Sequence, residues 1–264
     1  MSRVSLLLSF VALATACTPN AKKPAERSPA SKVRHSPVRL AAAADLALVL
    51  EEIKPLFEQR SDETLSVSLG STGLLAKQIA EGAPFDVFAA ANLSFVDEVV
   101  RRGRCEGRSQ HLYARGRIVV WTSKGKAALS LRDLASPAVR RIAIANPEHA
   151  PYGRAALEAF RKEGIAEKIQ SKLVYGENVR QALQFAESGN ADAAVLALSL
   201  VARRARERWV PIDEALHAPI DQALVVCKEG KNAAGGRKFV DFLASQEGRR
   251  LMETYGFLPP PLRK

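Results

Sequence analysis

Short apolar runs alternate with segments of helical periodicity along most of the chain, beginning at Val38. Continuous or alternating apolar runs predict strands, and apolar residues at intervals of three and four predict amphipathic helices. The predicted strands cover residues 38–44, 65–69, 85–89, 117–122, 141–145, 172–175, 193–198 and 222–227. The predicted helices cover residues 45–57, a segment from the turn at 70–73 through 81, and 93–102, 153–163, 178–188, 199–208 and 236–255.

This alternation is typical of α/β proteins, in which helices flank mainly parallel sheets. The 264 residues are enough for one large domain or for two lobes with separate cores. In open α/β sheets, ligands bind beyond the carboxyl ends of the strands, so residues at the strand-to-helix junctions are the first candidates for a functional site.

Several predicted strands end in small or polar residues that start a helix. These junctions are Ala44-Asp45, Ser71-Thr72-Gly73, Pro151-Tyr152-Gly153 and Asn178-Val179. Helix starts present unpaired backbone N–H groups and the positive end of the helix dipole, so several of them together would bind an anion without Lys or Arg. Taken singly, each junction is equally compatible with a turn or a helix cap, Asp45 and Asn178 included.

Composition narrows the classes of function. The formal net charge is +11, but six Lys and Arg residues lie between residues 22 and 39, where Glu26 is the only acid. Elsewhere, basic residues form short pairs such as Arg101-Arg102 and Arg203-Arg204, whereas nucleic-acid binding requires a clustered basic face. We therefore expect no nucleic-acid partner, although a mildly basic body favours the approach of an anion.

The amino-terminal residues are typical of an export signal. An apolar run over residues 4–14, preceded by Arg3, is too short to cross a bilayer as a mature helix. Small residues precede Cys17, as at bacterial lipoprotein cleavage sites, so we expect a lipoprotein signal peptide over residues 1–17 and lipidation of Cys17. An ordinary secretory signal with an incidental cysteine is the alternative. Residues 18–37 are polar and rich in proline, which predicts a flexible tether.

The remaining residues with chemical potential are scattered. Cys105 and Cys227 could form a disulfide or remain two free thiols, and the sequence leaves both possibilities open. The four histidines lack metal-ligand spacing, so we expect no cation site. An enzyme could use Ser71 or Thr72 as nucleophile and His149 as base, but the chain has no Gly-x-Ser-x-Gly turn, so we expect no catalytic activity.

Five segments of the chain form a distinctive set in a fixed order. They are Ala-Ala-Ala-Asp-Leu at 42–46, Gly-Ser-Thr-Gly-Leu-Leu-Ala-Lys-Gln-Ile at 70–79, Gly-Ala-Pro-Phe-Asp-Val-Phe at 82–88, Ile-Ala-Asn-Pro-Glu-His-Ala-Pro-Tyr-Gly at 144–153 and Glu-Asn-Val-Arg at 177–180. Together they resemble the molybdate-binding proteins of ABC importers. The resemblance implies a two-lobed type II periplasmic-binding-protein fold, with crossovers near 114–122 and 218–226. The first lobe would comprise residues 38–117 and 219–264, and the second lobe residues 118–218.

The resemblance also implies which residues hold the oxyanion. The ligand set falls on Ala44, Asp45, Ser71, Thr72, Tyr152, Asn178 and Val179, acting as neutral donors toward molybdate or tungstate, with no resident cofactor. It further implies delivery to a membrane permease by a monomeric protein outside the cytoplasm, which the lipid expected on Cys17 would anchor to the membrane. Phosphate, sulfate or a phosphonate is the alternative ligand.

Asp45 is the unexpected member of this set, because an ionised carboxylate repels an oxyanion. Three explanations are open. Asp45 could turn away and cap its own helix, which we favour because Asp is a good N-cap. It could be protonated when the ligand is bound, or it could accept a proton that the ligand carries, which would favour phosphate or arsenate.

Overall fold

The structure is a computed structural model that describes residues 36–122 and 127–260. The predicted signal peptide, its Cys17 and the predicted tether up to residue 35 lie outside the described residues. Among the described helices, none combines the length and the apolar character that a bilayer crossing requires.

Five strands form the first sheet. They are β1 (Val38–Ala43), β2 (Leu65–Gly70), β3 (Val87–Ala90), β4 (His111–Gly116) and β10 (Ile220–Val226). Their order is β2-β1-β3-β10-β4, so the last of the described strands lies in the interior of the first sheet. β1 pairs in parallel with β2 and β3, whereas β10 pairs antiparallel with β3 and β4.

Five further strands form the second sheet. They are β5 (Ile118–Thr122), β6 (Ile142–Ala145), β7 (Leu173–Gly176), β8 (Ala193–Ala197) and β9 (Trp209–Pro211). Their order is β7-β6-β8-β5-β9. β6 pairs in parallel with β7 and β8, and β5 pairs antiparallel with β8 and β9. We call the elements on the first sheet the first lobe and those on the second sheet the second lobe.

The two sheets confirm the α/β class, but each is mixed in its pairing rather than mainly parallel. β5 follows β4 after the single residue Arg117, so the chain enters the second sheet from the side that faces the first lobe. β10 likewise enters the first sheet from the second lobe. Each of these strands therefore runs against its neighbours, which accounts for the antiparallel pairs. The predicted lobe boundaries at 117/118 and 218/219 stay a prediction.

Helices cover the faces of both sheets. The α-helices are α1 (Ala47–Ser61), α2 (Thr72–Ala80), α3 (Leu93–Arg101), α4 (Pro151–Lys162), α5 (Ala166–Ile169), α6 (Val179–Glu187), α7 (Ala233–Ala244) and α8 (Gln246–Thr254). Short 3₁₀ helices span Ala44–Leu46, Gly107–Ser109, Arg132–Ala135, Gln170–Lys172, Leu198–Leu200, Arg206–Arg208 and Glu214–Leu216. Every residue of β3, β5, β6 and β8 is buried, as expected for strands with helices on both faces.

The prediction of a helix over residues 199–208 is wrong. Leu198–Leu200 and Arg206–Arg208 form separate 3₁₀ helices, because five of the six residues 203–208 are Arg or Glu and provide no apolar face for packing. The pattern also did not predict β4, whose sequence His-Leu-Tyr-Ala-Arg-Gly is half polar, or the three-residue β9. The segment 236–255 contains two helices separated at Ser245, which caps α8.

Cys105 and Cys227 form a disulfide, so the alternative of two free thiols is wrong for this structure. Both cysteines are buried at the end of β10 that lies away from the second lobe. The bond closes a loop of 122 residues that contains all five strands of the second sheet.

Candidate functional site

A pocket lies where the carboxyl ends of strands from the two sheets face each other. It is small in this structure, with about 10 Å³ of space for the centre of a water-sized molecule. The lining residues are Ala43, Ala44, Asp45, Gly70, Ser71, Thr72 and Ala91 from the first lobe and Ala150, Pro151, Tyr152, Asn178 and Val179 from the second. The structure thus brings together all seven site residues predicted from the sequence.

Four helix starts converge on this pocket. The 3₁₀ helix at Ala44–Leu46 leads into α1, and α2, α4 and α6 begin at Thr72, Pro151 and Val179. Backbone N–H groups in the first turn of a helix have no partner within the helix, and the dipole places partial positive charge there. Because none of the lining residues is Lys, Arg or His, the positive potential in this pocket comes from backbone dipoles. The arrangement suits a small anion.

Asn178 caps α6, as the sequence allowed. Its Oδ1 accepts hydrogen bonds from the backbone N–H groups of Arg180, at 3.0 Å, and Gln181, at 3.1 Å. The cap thereby satisfies the second and third N–H groups of the helix, while the Val179 N–H, the first, is not among those it binds. Val179 is therefore the residue of α6 whose backbone donor is best placed for a ligand.

Ser71 and Thr72 play different parts at the start of α2. The Ala91 N–H donates to Thr72 Oγ1 at 3.1 Å, which leaves the hydroxyl proton of Thr72 available for an acceptor. Ser71 Oγ donates to the carbonyl oxygen of His149 at 2.8 Å and also lies 2.8 Å from His149 Nδ1. A hydroxyl has one proton, so both contacts are satisfied only when Nδ1 carries a proton and donates to Ser71 Oγ.

The start of α2 is thus held against the second lobe by a loop that precedes α4. The Gly73 N–H donates to the His149 carbonyl oxygen at 2.9 Å. A Cβ atom on Gly73 would lie 2.8 Å from that oxygen, so any larger residue would push the lobes apart here. The described structure therefore has the two lobes in direct contact around the pocket.

Asp45 does not cap its helix, and the prediction that favoured this explanation is wrong. No side chain caps the 3₁₀ helix at Ala44–Leu46, nor does one cap α1. Instead, Asp45 Oδ2 accepts hydrogen bonds from Tyr152 Oη at 2.8 Å and from Gln222 Nε2 at 2.6 Å. Asp45 Oδ1 is buried and has no hydrogen-bond partner. The carboxyl group thus remains at the pocket and bridges the two lobes through Tyr152.

A buried polar network extends from Asp45 along the first sheet. Gln222 Nε2 also donates to Tyr152 Oη at 2.9 Å, and Gln222 Oε1 accepts from Tyr113 Oη at 2.6 Å. Gly116 leaves room for this network, because a Cβ atom there would lie 2.2 Å from Tyr152 Oη. The phenolic proton of Tyr152 is therefore directed to Asp45 rather than into the pocket.

Sequence reasoning missed Gln222 and Tyr113. Gln222 is fully buried in β10, and it pairs with an acid 177 residues earlier in the chain. A single amide in the apolar strand Ile-Asp-Gln-Ala-Leu-Val-Val was the available signal, because buried polar side chains need partners.

Burial determines the acid strength of this network. Desolvation raises the pKa of Asp45 from 3.8 to about 6, although the hydrogen bonds from Gln222 and Tyr152 act in the opposite direction. Desolvation, followed by the nearby charge of Asp45, also raises the pKa of Tyr113 and Tyr152 well above the usual value, so both phenols stay protonated. Asp45 is the one group lining the pocket that can change charge near neutral pH.

The energy of charge repulsion and the cost of protonation decide whether charged or neutral Asp45 is compatible with a bound anion. At a separation of about 4 Å in partly buried surroundings, two like charges repel by about 4 kcal/mol, and a dianion would double this. Protonating a group with a pKa of about 6 at pH 7 costs only about 1.4 kcal/mol. Protonation is therefore the less costly way for an anion and Asp45 to share the pocket.

A cation site does not fit the described residues, which contain no group of three or more His, Cys, Asp or Glu side chains able to hold a metal ion. The Asp45 carboxyl is the one acidic side chain among the residues that line the pocket. Its chemistry therefore matches an oxyanion bound by hydrogen bonds.

Comparison with known proteins identifies a family and several relatives. The sequence pattern of the family described as "Bacterial extracellular solute-binding protein" matches residues 38–258 of the chain. A molybdate-binding protein ModA from Rhodobacter capsulatus is 33% identical over 224 residues, which cover 83% of this chain and 86% of that protein. A Bacillus subtilis protein provisionally named an ABC transporter substrate-binding lipoprotein, YvgL, is 30% identical over 256 residues, which cover 94% of this chain and 96% of that one.

The fold has a counterpart among solved structures. The periplasmic molybdate-binding protein of Azotobacter vinelandii superposes with a TM-score of 0.81 at 26% sequence identity. The superposition covers 85% of this chain and all of that one.

Proposed function

The chain belongs to the family of bacterial extracellular solute-binding proteins, and from that membership we propose that it captures molybdate or tungstate and delivers the oxyanion to the permease of an ABC importer. The ligand would occupy the pocket between the lobes.

The observation that carries this proposal is the convergence of four helix starts on a pocket lined by neutral donors. A tetrahedral dianion needs several donors arranged around it, and helix starts supply them without a counterion. The proposed donors are backbone N–H groups at Ala44, Asp45, Tyr152 and Val179, together with the hydroxyl of Thr72. Ser71 and Asn178 would hold the loops that present these donors.

A small number of such bonds accounts for tight binding. A hydrogen bond to a charged acceptor contributes about 1.5–3 kcal/mol. A handful of them, after the cost of ordering the ligand and the loops, supports a dissociation constant near the nanomolar range, or about −12 kcal/mol. Selectivity over sulfate would follow from the size of the pocket, because molybdate and tungstate are larger ions of nearly equal radius.

The setting of the protein is also part of the proposal. Cys17 would carry the lipid that anchors the protein outside the cytoplasm, residues 18–37 would serve as the tether, and the protein would act as a monomer. The small-residue segment before Cys17 supports this, as does the name of the Bacillus subtilis relative. The ligand would be cargo, and the protein would hold no resident cofactor.

An enzymatic function is not favoured, although Ser71 and His149 lie within hydrogen-bond distance. The bond from Ser71 Oγ to the His149 carbonyl oxygen requires a protonated Nδ1, which cannot act as the base for that hydroxyl. Turnover of an acyl ester or a phosphate ester by the purified protein would contradict this conclusion.

The test is a calorimetric titration of the chain from Thr18 onward with molybdate, tungstate, sulfate and phosphate near neutral pH. We expect one-to-one binding of molybdate and tungstate, with sulfate and phosphate weaker by orders of magnitude. Tight phosphate binding that is lost in Asp45→Asn, with no response to molybdate, would show that the ligand is a protonated oxyanion instead.

A further inference from the structure

The two oxygens of the Asp45 carboxyl have opposite surroundings. Two donors, Tyr152 Oη and Gln222 Nε2, point at Oδ2. Oδ1 is buried, has no partner, and belongs to a residue that lines the pocket and is 1% exposed. An unpartnered carboxylate oxygen in a buried site is unfavourable, which raises the question of what Oδ1 binds.

The hydrogen-bond pattern matches that of a neutral carboxylic acid. Such an acid has one carbonyl oxygen, which accepts, and one hydroxyl, which donates. Oδ2 is saturated as an acceptor, so the proton of a neutral Asp45 belongs on Oδ1. An Oδ1 hydroxyl would be a further donor in a pocket whose other groups are donors.

We propose that Asp45 takes up one proton from solvent when the oxyanion enters, and that the protonated Oδ1 donates a hydrogen bond to the ligand. This inference rests on the proposed function, because it assigns a role within the same pocket. Its consequence is that capture of the oxyanion is coupled to proton uptake, so that affinity depends on the pH outside the cytoplasm.

The groups around Asp45 make it the site of this proton. Tyr152 on α4 and Tyr113 on β4 are the titratable side chains of its network, and both stay protonated well above neutral pH. The Leu198–Leu200 turn contributes Ser199, whose hydroxyl donates to the Asp45 carbonyl oxygen at 2.8 Å. His149 lies farther out, against Ser71. No Lys or Arg lines the pocket to stabilise an ionised Asp45.

The sign of the pH dependence follows from linkage. Ligand-free Asp45 has a pKa of about 6, and a bound dianion raises the pKa of Asp45 further. Affinity is therefore greatest below the ligand-free pKa and falls as the pH rises toward the pKa of the complex. Within that window, the dissociation constant increases about tenfold per pH unit.

The experiment is calorimetric titration with molybdate and with tungstate from about pH 6.5 to about pH 9, in pairs of buffers that differ in ionisation enthalpy. The wild type, Asp45→Asn and Asp97→Asn are compared. Asp97 is an exposed acid of the first lobe, so its variant controls for the loss of a carboxylate remote from the pocket. The Asn amide in Asp45→Asn keeps a donor in place of the Oδ1 hydroxyl but cannot ionise.

We expect the wild type and Asp97→Asn to take up close to one proton per ligand at about pH 8, and to lose about a hundredfold in affinity over two pH units. Asp45→Asn should bind with no proton uptake and should exceed the wild-type affinity at about pH 9. Wild-type binding without proton uptake, or an equal pH dependence in Asp45→Asn, would overturn the inference alone. Absence of molybdate and tungstate binding by the wild type and Asp45→Asn at every pH would refute the proposed function and the inference with it.

Discussion

The strands of the first sheet end at two opposite edges, one that faces the second lobe and one that faces away from it. Each of these edges holds a buried aspartate, and the surroundings of the two aspartates differ. Asp45 follows β1 at the edge that faces the second lobe, and Asp86, which is fully buried, precedes β3 at the opposite edge. Asp86 Oδ2 accepts from the Arg39 N–H at 2.7 Å, and Oδ1 accepts from the Asn232 N–H at 2.6 Å.

This difference separates a structural carboxylate from a functional one. Both oxygens of Asp86 satisfy backbone groups, so Asp86 ties the start of β1 to the loop before α7. At Asp45, side chains satisfy one oxygen and the other has no partner. The disulfide also lies at the Asp86 edge, where the Cys227 N–H donates to the Asp86 carbonyl oxygen at 2.8 Å. One edge of the sheet thus contributes stability, and the other contributes the site.

Removal of the disulfide should have the largest effect on stability. A bond that closes a loop of 122 residues stabilises the folded state by up to about 5 kcal/mol in the chain-entropy account. We expect the free energy of unfolding of Cys105→Ala/Cys227→Ala, measured with denaturant, to fall by up to that amount. Oxyanion affinity of the folded fraction should stay within about twofold of wild type. A large loss of affinity in a variant that remains folded would contradict the separation of the two edges.

Asp86→Asn should be the next most damaging change. The amide retains one acceptor oxygen, so one buried backbone N–H loses its partner and faces a donor. We expect the free energy of unfolding to fall by about 3 to 4 kcal/mol, with unchanged affinity under conditions in which the variant is folded. Chemical denaturation gives the first value, and titration with molybdate gives the second. A stable variant with weakened binding would assign Asp86 to the site.

Asp45→Asn should raise the free energy of unfolding rather than lower it. The rise in the pKa of Asp45 from 3.8 to about 6 means that ionising this buried group destabilises the folded protein by about 3 kcal/mol at pH 8. Below about pH 4 the group is protonated in both states and the penalty vanishes. The variant should therefore gain up to about 3 kcal/mol over the wild type at pH 8 and nothing at pH 4. A variant less stable than the wild type at pH 8 would contradict the assigned burial cost.

Thr72→Val should have the smallest effect on binding, and it should also lower stability, because the buried Ala91 N–H loses the Thr72 oxygen to which it donates. The substitution removes the hydroxyl that we propose as a donor to the ligand, at a cost of about 2 kcal/mol or about thirtyfold in affinity. Thr72→Ser keeps the hydroxyl and serves as the matched control, which we expect to bind within about threefold of wild type. Equal affinities of the Val and Ser variants would exclude the Thr72 hydroxyl as a donor.

The parts of this structure that could be predicted from the sequence are those with local causes. The strand-to-helix junctions identified Thr72, Pro151-Tyr152 and Asn178-Val179, because each junction carries its own turn chemistry within a few residues. Parallel strands then place these junctions at one edge of each sheet. The junctions therefore indicated where an anion could bind, and the resemblance to molybdate-binding proteins implied which of their residues form the site.

The parts that could not be predicted depend on distant residues. The partner that keeps Asp45 from capping its helix is Gln222, and no local pattern connects the two. The disulfide depends on β10 lying beside β4 and the segment before it, which the order of strands along the chain does not reveal. The helix predicted over 199–208 failed because five of the six residues 203–208 are Arg or Glu and provide no apolar face for packing.

The interior position of β10 has a consequence for how the chain is completed during synthesis and export. As the chain emerges from its amino terminus, all five strands of the second sheet appear before β10 does. Until then β3 and β4 have no strand between them, and their unpaired backbone groups are exposed to incorrect partners. The first sheet is therefore completed after all strands of the second sheet have been synthesised. The disulfide between Cys105 and Cys227 can form only at that stage.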